Sequence, residues 1–528
     1  MLSLPGFCGL IVAIITLSAF ALAQRRSPDP VLPGSIGTLH HRIETSSREA
    51  QRLFDQGLTL YYGFNREGAR RSFAAAAAHD PTAAMPQAGI ALALGPNLNA
   101  HPTGDQISEG CAAARKGVGL ASHPTEKAFA SALVTRYCAG LTHDSGTGYA
   151  IEMGSLFQAN EDDPDAAALY ADSLLSLRPR TGEQNVELIA VLELVLRRWP
   201  GHVGANHYYI HAMEGSRAPE RALASAKRLE TVVPAIGHLL HMPSHIYMRV
   251  GEYRRAIDSN VRAAGADLAY LKANPGDAEQ TMYYEHDIES LAVAAGFAGR
   301  FEQSRRAAES TALTHGHAAA ASTPASGFSP LRVFVLLRFH RWNEVLQTSA
   351  PSSKDPSKLW YHFARSVSYF ALKNLKLGAE ERNAFEREVR AVPADATYRS
   401  NRAAAVLAVF QATLDARLAT AQGNAGEALN AWTRAVAAQD RLTYHEPPPV
   451  YYPVRESLGA ALFNAGRHRD AERVFRDDLM RHPRNGRSLF GLWQTLLALN
   501  DKKEAEMVRR QFDEAWSTSD VKLSLQHY

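Results

Sequence analysis

Strand signals are nearly absent from this 528-residue chain, which excludes sheet-based architectures at the outset. Charge of one sign is lacking too. The formal net charge is +3, and the basic residues are scattered among acidic ones. That excludes the basic stripe of a nucleic-acid binder. Glycine-rich phosphate loops, dinucleotide fingerprints and serine or cysteine nucleophile motifs are all missing, so the chemistry that depends on them has nothing here to rest on. Long apolar runs are limited to one. Leu10 to Leu22 is almost wholly apolar, and Ala21-Leu22-Ala23 fits a small-residue cleavage site. This predicts a signal peptide over residues 1–23, a mature chain starting at Gln24, and a periplasmic or secreted protein with no membrane span after cleavage. The opening residues carry no Lys or Arg, which leaves an uncleaved anchor as the alternative, and Cys8 lies too early to accept a lipid.

Cysteine is scarce, at three in all, and removal of the signal leaves Cys111 and Cys138. The break at His123-Pro124 separates helical stretches at 106–121 and 125–140, and it falls midway between the two cysteines. Antiparallel helices bring them close. A disulfide and a pair of small buried thiols both fit that placement.

What is present is a repeat. In residues 50–81, Gly57, Ala69, Phe73, Ala76 and Pro81 fall at positions 8, 20, 24, 27 and 32 of a tetratricopeptide frame. Gly459, Ala471, Phe475 and Pro483 repeat it, preceded by Gly423, Ala428, Trp432 and Ala435. Ala222 with Pro234, and Gly251-Glu252-Tyr253 with Ala256, carry it through the middle. The expected fold is an all-α tetratricopeptide-type solenoid, a right-handed superhelix of antiparallel helix pairs over 40–515. A flexible segment at 24–39 precedes it and a tail at 516–528 follows. Irregular stretches are expected at 96–105, 142–148, 178–184, 268–280, 314–330 and 438–452.

Histidines concentrate in the central repeats at 200–300. His207, His211 and Glu214 lie on one helical face, within about 60° at helical spacing. So do His238, His241 and His245 if their segment is helical throughout. His241 follows His207 by 34 residues and His245 follows His211 by the same 34, one repeat. Equivalent A-helix positions of stacked repeats face one concave groove, so these side chains converge. A third A helix at 283–289 adds His286 and Glu289, with Gly299-Arg300-Phe301 aligned on Gly251-Glu252-Tyr253. Imidazoles and carboxylates at this spacing on facing helices suit copper, zinc or iron, and not the oxygen-seeking magnesium or calcium. Six histidines suffice for two ions with three each, and a single ion with His and carboxylate ligands fits too. A polar groove that grips an anion or peptide is the competing reading. Pro243 interrupts the middle segment and puts the helical placement of His238 and His241 at stake.

Tyrosines frame the cluster. Tyr209 and Tyr283 are candidates to carry protons beside a metal, and Tyr247 and Arg249 to line the groove, Arg249 by holding a substrate carboxylate. Packing between repeats and a structural ion pair are the plainer roles. The stretch 444–453, with Pro447, Pro448 and Pro449, is extended by composition. It is either a stiff linker or a lid that brings Glu446 and His445 over the groove.

The segments HYYIHAME, HMPSHIYMRVGEY, YYEHD, EPPPVYYP and GLTLYYGFN together resemble a family of largely uncharacterised bacterial tetratricopeptide-repeat proteins, many with signal peptides. The resemblance covers nearly the whole mature chain and implies fold and site more than an activity. Where that family reads Tyr-Tyr-x-His-Asn-x-His-Phe, this chain has Asp287, Glu289 and Ser290, and Val450 stands in place of a tryptophan.

Three functions compete on this sequence. One is a metal-dependent enzyme of the cell envelope, a copper oxidoreductase before a zinc hydrolase with Glu214 or Glu289 as base. The second is a scaffold binding a small molecule or peptide in its groove. The third is metal capture without catalysis. The use of His and Glu rather than Lys, Arg and Asn leans away from the peptide scaffold.

Overall fold

A computed structural model describes residues 35–99, 101–177, 185–318 and 329–528. The expected signal peptide, most of the expected N-terminal segment and the stretch 178–184 lie outside the described residues. Within them, helix follows helix from Arg48 to Ala515, and the one sheet is a two-stranded turn pairing Thr397–Tyr398 with Asn401–Arg402. Six helices carry the site. They are α1 (Arg48–Tyr62), α2 (Val203–Met213), α3 (Gly237–His241), α4 (Pro243–Val250), α5 (Tyr253–Ala273) and α6 (Ala278–Phe297).

The repeat frame has a direct packing cause. Phe73 fills the space a side chain would need at Gly57 and at Gly89, where an added Cβ would stand 2.6 Å from its ring in both cases. Phe475 does the same at Gly459 (2.6 Å) and Gly491 (2.2 Å). Each aromatic therefore sits between the A helix of its own repeat and that of the next, and only glycine lets all three close up. Pro243 lacks an N–H, so α3 and α4 are formally separate. Met242 between them keeps helical angles (φ −49°, ψ −38°), and its N–H still reaches the His238 carbonyl at 3.0 Å. His238, His241 and His245 thus share one nearly continuous helix.

Boundaries differ from expectation where local signals were overridden. Residues 143–148 begin the helix His143–Ala159, capped by Thr142, instead of forming a loop. α5 runs on to Ala273, and α6 starts at Ala278 under the Asp277 cap. Cys111 and Cys138 form a disulfide across the helices Gly104–Leu120 and Pro124–Tyr137. Ala403–Ala421 is long and apolar enough to cross a membrane, which the sequence reading did not anticipate; here Val406, Phe410, Leu414 and Ala416 are buried against neighbouring helices.

The solenoid bends back on itself. Tyr253 donates to the Pro483 carbonyl (3.0 Å), and Arg484 pairs with Glu252 (2.7 Å). Residues 516–528, expected as a tail, are docked: Asp520 accepts the N–H groups of Phe301 and Glu302 at 2.7 and 3.0 Å. From the other end, Arg66 pairs with Glu279 (2.9 Å). The expected open groove is therefore an interior.

Candidate metal centre

α2 carries His207 and His211 and ends on Glu214 as its C-cap, α3 and α4 carry His238, His241 and His245, and α6 carries His286. All are buried or nearly so, with His207 and His241 at 0% exposure. The imidazoles divide into two groups of three, His207/His211/His238 and His241/His245/His286, with one ring nitrogen of each member within 4.8 Å of the others. The groups adjoin: ring centroids of His211 and His245 are 5.9 Å apart, and those of His238 and His241 6.0 Å. The repeat register is met at His211–His245. His207 instead turns to His238 (4.9 Å), and His241 to His286 (4.7 Å), because the middle helix serves both neighbours.

Outer partners fix which nitrogen faces inward. His207 Nδ1 donates to the Tyr62 carbonyl at 2.6 Å, and α2 comes close enough because Gly204 leaves room for the Tyr62 ring. His241 Nδ1 lies 2.6 Å from Asn260 Oδ1 on α5; the Asn260 amide nitrogen donates to the Ala256 carbonyl, which turns its oxygen to the histidine. Glu214 accepts from both His211 Nδ1 (3.2 Å) and His245 Nδ1. Neutral imidazoles held this way present their Nε2 lone pairs inward. Those of His241 and His245 stand 2.7 Å apart, and the Nε2 atoms of His241 and His286 are 3.1 Å apart, as are those of His207 and His238. Two nitrogens bound to one tetrahedral ion stand about 3.4 Å apart. Lone pairs facing one another need a shared cation, a metal ion or a proton.

Burial, and after it the neighbouring imidazoles, hold His207, His238, His241 and His286 well below the ordinary histidine value, so they are neutral and ready to ligate. Burial also lowers His245, but the charge and hydrogen bond of Glu214 outweigh it and the net shift is upward. Burial would raise Glu214; His211 and His245 more than reverse that. Behind His241, Asp287 Oδ1 lies 3.2 Å from Nδ1. Burial pushes Asp287 up strongly, and its neighbour Asp267 to about 7.

The remaining candidates separate. Tyr283 packs its ring 4.7 Å from His238. Tyr209 points away and donates to Glu193, and Tyr247 donates to Glu230 under Arg255. Their helix positions face the opposite side. Arg249 spends its donors on the carbonyls of Glu214 and Ser216 and lies over the Tyr444 ring, so it braces the site and is not a free anchor for a carboxylate. Glu289 joins neither histidine group; Arg399 and Tyr451 engage its carboxylate. Glu214, expected also as a base, has both oxygens committed to histidines.

Residues 444–453 close over the histidines. Thr443 and Asn401 exchange hydrogen bonds (2.8 and 3.1 Å), and Arg399 reaches the Pro447 carbonyl at 3.4 Å. Tyr444 donates to Glu446 at 3.2 Å. Burial drives Glu446 up to about 7, with His245 opposing and Glu214 adding to the rise. On the opposite side, Phe64 lies 4.5 Å from His207 and 5.2 Å from His238 between ring centroids. Sequence reasoning missed Phe64, Asn260 and Arg399. An asparagine on the Ala256–Ala263 face of α5 was an available signal for Asn260; Phe64, at φ 57° in a turn, lies within the segment GLTLYYGFN, but nothing in that segment pointed to the histidines. A smaller group, His41/Asp163/Asp165, was missed as well.

No family model and no curated protein matches this chain. Solved structures similar to it include the Cut9–Hcn1 hetero-tetramer of the APC/C (12% identity, 97% of this chain and 80% of that one, TM-score 0.29). The human IFIT1 dimer with PPP-AAAA matches at 11% identity over 90% of this chain and 92% of that one, TM-score 0.30. Yeast Tom70 matches at 12% identity over 89% and 92%, TM-score 0.28.

Proposed function

We propose that this chain is an exported metalloprotein whose six histidines hold two transition-metal ions, three imidazoles each, and that it works as a metal-dependent oxidoreductase with copper as the best-matched metal. The observation that carries the reading is the division of the six imidazoles into two adjoining groups, with the outer nitrogens of His207, His211, His241 and His245 already engaged. An all-imidazole donor set suits copper, zinc or iron, and a pair of copper ions supplies redox chemistry with dioxygen. Zinc hydrolysis is less favoured, because Glu214 is occupied in orienting ligands. Metal storage gives no role to a closed lid with an acid, Glu446, half-buried beside the ligands. A peptide-binding groove is disfavoured by the burial of its histidine strip. The Cys111–Cys138 disulfide supports an oxidising compartment, in line with the apolar N-terminus. The motif block supports placement among signal-bearing bacterial tetratricopeptide-repeat proteins.

Metal analysis of protein purified from its native compartment tests this. Two ions per chain are expected. His238→Ala and His286→Ala should each leave one, and the double variant none. A native protein without stoichiometric transition metal, melting identically with and without chelator, defeats the reading and leaves a polar binding site in its place.

A further inference from the structure

In the N-terminal repeats a cavity of about 460 Å³ opens between the segment 41–44 and the helices Pro124–Tyr137, His143–Ala159 and Pro164–Leu177. Met85, Phe129, Leu156 and Leu169, all buried, give it apolar walls. Its charges do not balance. Glu44, Glu126 and Asp163 line it against one guanidinium, that of the exposed Arg42, which pairs with none of them among the described residues. The charge of His41 is matched elsewhere: its Nδ1 pairs with Asp165 at 3.0 Å, and Tyr62 and His202 hold the other Asp165 oxygen at 2.6 and 3.1 Å. His123 accepts the Thr125 N–H through Nδ1 at 3.3 Å. Glu126 is the group that points to a ligand. It is 8% exposed, its Oε1 accepts from the Glu44 N–H at 2.8 Å, and its Oε2 has no partner among the described residues. Burial lifts Glu126 above the ordinary carboxylate range; the Glu44 N–H and the two histidines oppose that only in part, and the Glu44 charge adds to it. Asp163 also commits one oxygen, Oδ1, which accepts from the N–H groups of Asp165 and Ala166 at 2.9 and 3.3 Å.

We infer that this cavity binds a small primary amine with an apolar body, its ammonium on Glu126 and its apolar part against Phe129 and Leu156. A carboxylate held this far out of water is stabilised by a cation that also donates hydrogen bonds, and an ammonium brings both. Apolar walls reward a hydrocarbon body over bare ammonium. Asp163 and Glu44 add to the negative field without being needed as direct partners. The inference stands apart from the metal reading, because it concerns occupancy of a different cavity.

Titration calorimetry on the full metal-loaded chain at neutral pH tests it, with phenethylamine as the probe. Saturable one-to-one binding is expected, with 2-phenylethanol, 3-phenylpropionate and ammonium chloride each weaker by about tenfold or more. Glu126→Gln keeps an oxygen for the Glu44 N–H and removes the charge, so it should fold and bind phenethylamine about tenfold or more weakly. No saturable phenethylamine binding, or equal binding of the alcohol, the carboxylate or bare ammonium, overturns the proposal. So does a Glu126→Gln variant that keeps the native circular dichroism spectrum and binds phenethylamine unchanged, which would place the amine elsewhere, on the metal for instance. If that variant fails to fold, the comparison of the four probes on the unaltered chain decides alone. Metal content measured on the same samples reports separately on the histidine centre.

Discussion

Glu214 joins the two histidine groups, and replacing it with glutamine should affect them unequally. The carboxylate accepts from His211 Nδ1 at 3.2 Å and from His245 Nδ1 at a shorter distance. An amide has one acceptor oxygen and one donor nitrogen. In Glu214→Gln the oxygen stays with His245, the tighter partner. His211 then faces an N–H, and its imidazole must move its proton from Nδ1 to Nε2 to accept from it. A proton on Nε2 occupies the lone pair that would ligate. The His207/His211/His238 ion loses one of three ligands, while the other keeps its set. Loss of an orienting partner typically costs 10–100-fold in metal affinity, about 1.4–2.8 kcal/mol, and loss of the ligand itself sits at the upper end. Dialysis against graded chelator followed by elemental analysis reads this out. A chelator level that leaves two ions on the native chain should leave one on Glu214→Gln. Asn260→Ala, which takes the close acceptor from His241 Nδ1 and leaves it Asp287 Oδ1 at 3.2 Å, touches no histidine of the first group and should weaken the ion of the second group by less. If Glu214→Gln holds both ions with native affinity, the tautomer argument is wrong.

Other outcomes follow from the same contacts. His41 is lowered by burial, but its bond to Asp165 (3.0 Å) outweighs that and raises it to about 9. A raised histidine stabilises fully below its unfolded value near 6.5, and that stability is lost as pH climbs to about 9. At a side-chain exposure of 20%, the loss should be ~2–3 kcal/mol in urea titrations, and absent in His41→Gln. Reduction of Cys111–Cys138, 27 residues apart, should lower unfolding free energy by about 3 kcal/mol, read as a fall in urea midpoint on adding a strong reductant. Gly237→Ala would put a Cβ 1.9 Å from Asp267 Oδ1 at the start of α3. About 1–3 kcal/mol of stability should go with it, measured by thermal melting, along with metal held through His238.

The fold was legible because its determinant is periodic. Gly57, Phe73 and their counterparts Gly459 and Phe475 recur at fixed positions, and one packing rule explains each. The histidines were legible for the same reason: helical spacing on α2 and α3–α4, and one 34-residue step between them. Their grouping was not, since it depends on the stagger of three helices. That stagger pairs His207 with His238, 31 residues on, and His241 with His286, 45 residues on. Glu289 illustrates the limit. Position along the chain made it equivalent to His241, yet Arg399, more than a hundred residues away, draws it out of the cluster. Tyr209 and Tyr247 were named by proximity in sequence, and a helix turns such neighbours to its far side.

Closure of the solenoid gives the histidines their chemistry. An A-helix strip in an open superhelix faces water, where imidazoles near pH 7 are partly protonated and hydrogen-bonded to solvent. Here the turn at Tyr62–Phe64 covers one side, and residues 443–453, latched by Arg399 and Asn401, cover the other. The same burial that strips water keeps most of the rings neutral, and it leaves Tyr62, Asn260 and Glu214 as fixed acceptors for the outer nitrogens. A ligand set that would be loose and solvated on a groove surface becomes oriented and dry. The docking of Asp520 on the Phe301 turn and of Arg484 on Glu252 is therefore part of the site, because it keeps the C-terminal repeats and the lid they carry over the centre. Cutting those contacts with Asp520→Ala and Arg484→Ala together should raise the exchange rate of bound metal with chelator while leaving the number of ions per chain at equilibrium unchanged. Removal of a ligand lowers the number of ions at equilibrium itself, so the two kinds of variant separate enclosure from coordination.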